Sequence, residues 1–218
     1  MAKGQTSSAA KGGFVNVHVS LVGVSPLLLH PMTEELLLSL PGAGMKKGAR
    51  RATHEASTVE DIAADRIIKD ESGRMGLPSS YLFAALKGAG RMVTFSGKKN
   101  ISTAASSLLP SFFQISEDFL PFLNQEATWQ VDIRRGVNPT TKGAMAIVRP
   151  KFPVWGIAAT CEVDTNEIDI EKIRELFTVA GRTQGLASFR PSCGGQFGKF
   201  RVENWEVSEV SPELKAVA

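Results

Sequence analysis

Between Phe14 and Val22, apolar side chains at 14, 15, 17, 19, 21 and 22 alternate in part with Asn16, His18 and Ser20. A β-prone run of that period predicts a strand, which Pro26 and Pro31 end. "TEELLLSLPGAG" follows as a short helix, with Thr33 at its N-cap and Pro41-Gly42 as its stop. "GAGMKKGARRA" is glycine-rich and basic and reads as a loop. "STVEDIAADRIIKDESG" opens on a capping pattern and sets Val59, Ile62, Ala63 and Ile67 at helical spacing, with Gly73 ending the helix.

Pro78-Ser79-Ser80 starts a second long helix, expected from about Ser79 to Met92, with Leu82, Phe83, Ala85, Leu86 and Ala89 along one stripe. "SLLPSFFQIS" reads as a strand. In "ATWQVDIRRGVN", Trp129, Val131 and Ile133 alternate with Gln130, Asp132 and Arg134, which predicts another. "GAMAIVRPKF" and "VWGIAATCEVD" are further strands. Asp169 to Ala180 is an amphipathic helix with Ile170, Ile173, Leu176, Phe177 and Ala180 inward, and a final strand runs from about Phe200 to Val210.

Without insertions the order is β–α–β–β–α–β. It predicts an α+β chain with a ferredoxin-like, or RRM-like, core: two helices on one face of an antiparallel sheet. The open face of such a sheet is a common place to bind nucleic acid. Residues 14–211 are expected to form one domain between tails at 1–13 and 212–218. Insertions fall at about 33–73, 94–110 and 134–153, the first helical and the last a β-hairpin.

Composition narrows this picture. The chain has 218 residues, 43% of them apolar, enough for a packed core. The net charge is only +3, but the charges are segregated: Gly73 to Ser116 holds no acidic residue and carries Arg74, Lys87, Arg91, Lys98 and Lys99. Such a one-sided field attracts polyanions. Cys161 and Cys193, with no apolar secretory stretch in "MAKGQTSSAAKGG", point to free thiols and a cytoplasmic location. No apolar run reaches the roughly 20 residues that span a bilayer, so no membrane partner is expected.

Enzyme signatures fail. "GGQFGK" lacks the first glycine and the Ser or Thr of a phosphate loop, and it precedes a strand rather than a helix. His18, His30 and His54 are scattered and neither cysteine stands at metal spacing, so no metal or cofactor is expected. Binding signals are stronger. Arg134, Arg135, Lys142, Arg149 and Lys151 flank a Gly-Val-Asn-Pro turn in the hairpin, where cations can follow a phosphate backbone. Lys87, Arg91, Lys98 and Lys99 sit among small residues. In "RPSCGGQFGKFRVENWEV", Gly194, Gly195 and Gly198 are expected to let main chain and ligand meet closely. Gln196, Lys199 and Arg201 add donors there, and Phe197 or Phe200 a ring that stacks or wedges against a base. The bland alternative for that stretch is a tight helix-to-strand connection with core phenylalanines.

"GLPSSYLFAALKGAGR", "GRTQGLASFRPSCGGQFGKFRVENWEV" and the first strand followed by "SPLLLHP" together resemble the repeat-associated mysterious protein superfamily of CRISPR effector complexes, particularly its Cas7-like backbone subunits. The resemblance covers about half the chain. It implies a ferredoxin-like palm, a hairpin thumb, and subunits that coat a guide RNA head to tail through its phosphates, alongside other effector-complex subunits. The chain is shorter than typical backbone subunits and has no convincing aspartate in the loop expected for target cleavage. The expectation is therefore a non-catalytic single-stranded RNA-binding protein that self-associates along the strand. Single-stranded DNA binding by a viral relative, and an RNA-processing nuclease using His30 or His54, are the alternatives.

Overall fold

The computed structural model describes residues 13–32, 58–137 and 142–209. The helix expected from Thr33, the basic stretch after it and His54 lie outside the described residues. The chain is α+β with antiparallel sheets. Strand β1 (Phe14–Gly23) pairs antiparallel with β10 (Gly156–Asp164) on one side and with β11 (Phe200–Glu209) on the other, and β10 pairs with β6 (Phe113–Ile115). The order across this four-stranded sheet is β11-β1-β10-β6.

Among the described residues there are four α-helices: α1 (Val59–Ala64), α2 (Ser79–Ala89), α3 (Leu109–Phe112) and α4 (Ile170–Thr183). Period-two burial decides which face of the sheet the helices cover. Val15, Val17, Val19 and Leu21 of β1 and Ile157, Ala159, Cys161 and Val163 of β10 are buried, and they join Leu82 and Leu86 of α2 and Ile173, Leu176 and Phe177 of α4 in one core. Phe177 is fully buried and meets Trp205 edge to face at 5.5 Å. Gly181 brings α4 close onto the sheet edge, since a Cβ there would stand 2.1 Å from the Phe200 carbonyl oxygen.

A three-stranded sheet, β2 (Leu27–Leu28), β9 (Ala144–Phe152) and β8 (Gln130–Val137), carries the hairpin. Two small pairs complete the fold, β3 (Gly76–Pro78) with β7 (Phe119–Pro121) and β4 (Thr94–Ser96) with β5 (Lys99–Asn100).

Several expected elements differ. The helix opened by Thr58, whose capping box forms, stops at Ala64 rather than near Gly73. There the Asp70 carboxylate accepts hydrogen bonds from the N–H groups of Ser72 and Arg74 and from Arg74 Nε, which fixes a turn instead. The strand expected over "SLLPSFFQIS" begins as the helical turn α3, with a proline at its start. The helix expected to reach Met92 ends at Ala89, where Gly90 is the C-cap and packs against Ser102.

Candidate functional site

The open face of the four-stranded sheet carries acidic side chains among its polar ones. His18 stands opposite Glu206 on one side and Thr160 on the other, and Asn16 opposite Glu162. This face carries carboxylates and polar groups, with Phe14 exposed at its end. Arg201, near the start of β11, is ion-paired with Glu203.

Cations and rings converge instead where the hairpin base, the first turn of α2 and the loop 185–198 meet. A cleft of about 530 Å³ opens there, lined by His30, Ser80, Tyr81, Ala187, Phe189, Arg190 and Cys193. The loop is built from left-handed residues at alternate positions: Gly185, Ala187 and Phe189 have φ of +68°, +58° and +55°. For alanine and phenylalanine that backbone costs about 1–2 kcal/mol each, so the surrounding contacts must hold it. They do: Leu186 N–H donates to the Gly198 carbonyl and Ser188 N–H to the Leu28 carbonyl. The intervening amides of Ala187 and Phe189 donate to nothing among the described residues. Backbone that alternates in hand this way forms a concavity suited to an anion.

Beside that loop, Arg134 and Arg149 share one carboxylate, Asp132, and Arg66 stands close enough to Arg149 to repel it. Arg134 bonds Asp132 through Nε at 2.8 Å and places its guanidinium 4.7 Å from the ring centre of Phe197 and 5.6 Å from that of Phe189. Arg149 is 8% exposed, lies 6.0 Å from the Phe189 ring, and its Nε has no hydrogen-bond partner among the described residues. Arg66 donates to the Val148 carbonyl and approaches His30 Nδ1 at 3.2 Å. Burial, then the nearby Arg66 and Arg149, hold the His30 pKa below its ordinary 6.5. Burial likewise lowers Arg149 and Arg66. Burial raises the Tyr81 phenol, against the pull of Arg190. A buried donor without a partner, amid like charges, is costly by itself and favourable once an anion enters.

Of the residues singled out by sequence, the structure brings Arg134, Arg149 and Phe197 together here. Phe197 is buried beneath Arg134, so the exposed ring of the pair is Phe189, at 42%. Gly195 does not offer close approach to a ligand: a Cβ there would lie 1.7 Å from the Phe189 carbonyl oxygen, so the glycine serves the loop's own packing. The N–H groups of Gly194, Gly195 and Gly198 donate to Pro191, Arg190 and Pro26 carbonyls rather than facing an anion. Lys199 lies just before β11 with its carbonyl accepting from Val24 and Ser25. Arg135 and Lys142 are on the hairpin, away from the buried arginines, with Lys142 exposed.

Lys87, Arg91, Lys98 and Lys99 form a separate exposed group at the far end of α2. From Ser80 at the cleft to Lys87 is about 10 Å along α2. Sequence reasoning missed Arg66, Tyr81, Phe189 and Arg190 as site residues. The one local signal was "SFRPS", an aromatic–arginine pair held before a proline.

No protein-family model and no curated protein matches this chain. Among solved structures, a chain from the cryo-EM structure of the Type III-B Cmr-beta bound to cognate target RNA is similar at 12% identity and a TM-score of 0.49. The match covers 90% of this chain and 61% of that one, so this chain spans about three fifths of the neighbour's length.

Proposed function

We propose that the chain is a non-catalytic, single-stranded nucleic-acid-binding protein that holds one backbone phosphate in the cleft. The observation that carries the reading is Arg149, buried with an unpartnered Nε between Arg66 and Arg134. A phosphodiester supplies the missing acceptor, and the unbonded amides of Ala187 and Phe189 add neutral donors. Phe189, exposed and braced by Arg134, offers a face on which a base stacks. Phosphate contact and stacking are both sequence-tolerant, so binding is general rather than motif-specific.

The strand order fourth–first–third–second in the main sheet supports reading the core as ferredoxin-like, with the β8–β9 hairpin as its thumb. The sequence resemblance makes RNA the first choice of strand, and a Cas7-like backbone subunit of a cytoplasmic effector complex the first choice of context.

The test is fluorescence anisotropy with a labelled oligouridylate and its deoxy counterpart at three salt concentrations. Each phosphate contact contributes a slope of about −0.7 in log K against log salt on single strands. Arg66→Ala should weaken binding and reduce that slope by about one contact. Unchanged affinity in Arg66→Ala and in Arg149→Met would overturn the reading, and strand cleavage on a gel would replace it with the nuclease.

A further inference from the structure

A second groove, sharing no lining residue with the cleft, runs between α4 and β11. Arg174, Thr178 and Arg182 line one wall at positions i, i+4 and i+8 of α4, and Arg201, Asn204 and Trp205 line the other. Its volume is about 450 Å³. Three arginines face one carboxylate, Glu203, which Arg201 already engages. Arg174 and Arg182 have no ion pair among the described residues. Trp205 packs one edge on Phe177, and no described residue accepts from its indole N–H.

The strand that forms this wall is also an edge. β11 lies outermost in the order β11-β1-β10-β6 and pairs only with β1 among the described residues. An edge strand leaves a row of backbone N–H and C=O groups that face away from the sheet. The pairing shifts between Ser20 and Leu21, so Glu203 is the extra residue of a bulge that bends the edge beside the groove.

We infer that this groove docks an extended acidic peptide, which pairs with β11 as an added strand and sets carboxylates against Arg174 and Arg182. The spacings agree: eight helical residues separate the two arginines by about 12 Å. Four residues of extended chain span about 13 Å, so carboxylates at i and i+4 of the peptide meet both cations. Strand addition supplies affinity through main-chain bonds, and the arginines choose the charge. A nucleic acid satisfies the arginines but cannot complete the strand ladder, so the unpaired edge favours a peptide. The inference does not depend on the cleft, because no residue of the groove lines it.

The probe is a fluorescent ten-residue peptide of alternating valine and glutamate, with a lysine-for-glutamate version as its control. Anisotropy should rise with the acidic peptide alone, and amide exchange along β11 should slow on binding. Arg174→Glu combined with Arg182→Glu, both on an exposed helix face, should weaken the acidic peptide at least tenfold, while Arg66→Ala leaves it unchanged. No anisotropy change up to about 1 mM peptide, the weak end of specific recognition, would overturn the inference. So would equal binding of the lysine version, or a ten-nucleotide strand that loses affinity in the double variant while the peptide does not. A gain in particle mass without peptide, lost in the double variant, would assign the groove to a second copy of the chain instead.

Discussion

Arg149 holds a buried charge whose Nε has no hydrogen-bond partner among the described residues. A thioether of similar length fills the same space without that cost. Arg149→Met should therefore leave the free protein as stable or more stable, by about 1 kcal/mol, while oligonucleotide affinity falls at least tenfold. Thermal melts beside anisotropy measure both, and a loss of stability with affinity intact would make Arg149 a scaffold residue. His30 gives a pH test. Its folded pKa lies below 6.5, so near and below that value the unfolded chain binds more protons than the folded one. The contribution of His30 to stability is thus present above pH 6.5 and is lost as pH falls toward the folded pKa. An anion in the cleft raises that pKa, so binding takes up a proton, and affinity should strengthen as pH falls from about 7.5 to 5.5. His30→Gln should flatten both profiles, and a slope that persists in the variant would assign the effect elsewhere.

At the scale of elements, the loop 185–198 is held as a rigid piece. Gly195 and Gly198 each bring main chain onto main chain, against the Phe189 and Leu186 carbonyls. Gly194 differs: its φ is +75° and nothing stands within 4 Å of the site of a Cβ. Gly195→Val should lower the melting temperature and disturb the cleft. Gly194→Ala should cost only the left-handed strain, about 1 kcal/mol, and keep binding. Melts of the two variants check this, and equal losses would show that the packing at Gly195 is relieved by movement of the loop. Phe177 ties α4 to β1 and β11 through the core, and Phe177→Ala should cost about 3–5 kcal/mol in chemical denaturation.

At the scale of the whole molecule, the charge is arranged in patches. The cleft, the far end of α2 and the α4–β11 groove are basic, while the open sheet face carries Glu162 and Glu206 beside His18. A strand that crosses the cleft is steered away from the sheet and toward the cations at Lys87, Arg91, Lys98 and Lys99. If subunits follow one another along it by heterologous contacts, particle mass should grow with strand length. Light scattering on oligonucleotides up to about 60 nucleotides, several site lengths for a domain of this size, measures that growth. One protein per strand at every length would rule out assembly along the strand.

The chain alone determined what depends on neighbours in sequence. Alternation at Phe14–Gly23 and the apolar stripe of Ile173, Leu176, Phe177 and Ala180 placed a central strand and a packed helix, because period and burial are local consequences of backbone geometry. The α+β class followed from the order of such segments. What the chain alone did not decide is which cations share a space. Arg66, Arg134, Arg149 and Arg190 come from four separate segments, and only the packing of the hairpin base against α2 and the loop 185–198 sets Arg190 in the cleft wall and the other three against its Phe189 and His30. The glycines of "CGGQFG" carried a true signal of close approach, but whether main chain or ligand occupies that approach is a question of long-range contact. Here the Phe189 and Leu186 carbonyls occupy it, and the loop's unbonded amides are those of Ala187 and Phe189, where strained backbone is held in place by hydrogen bonds from Leu186 and Ser188 to distant partners.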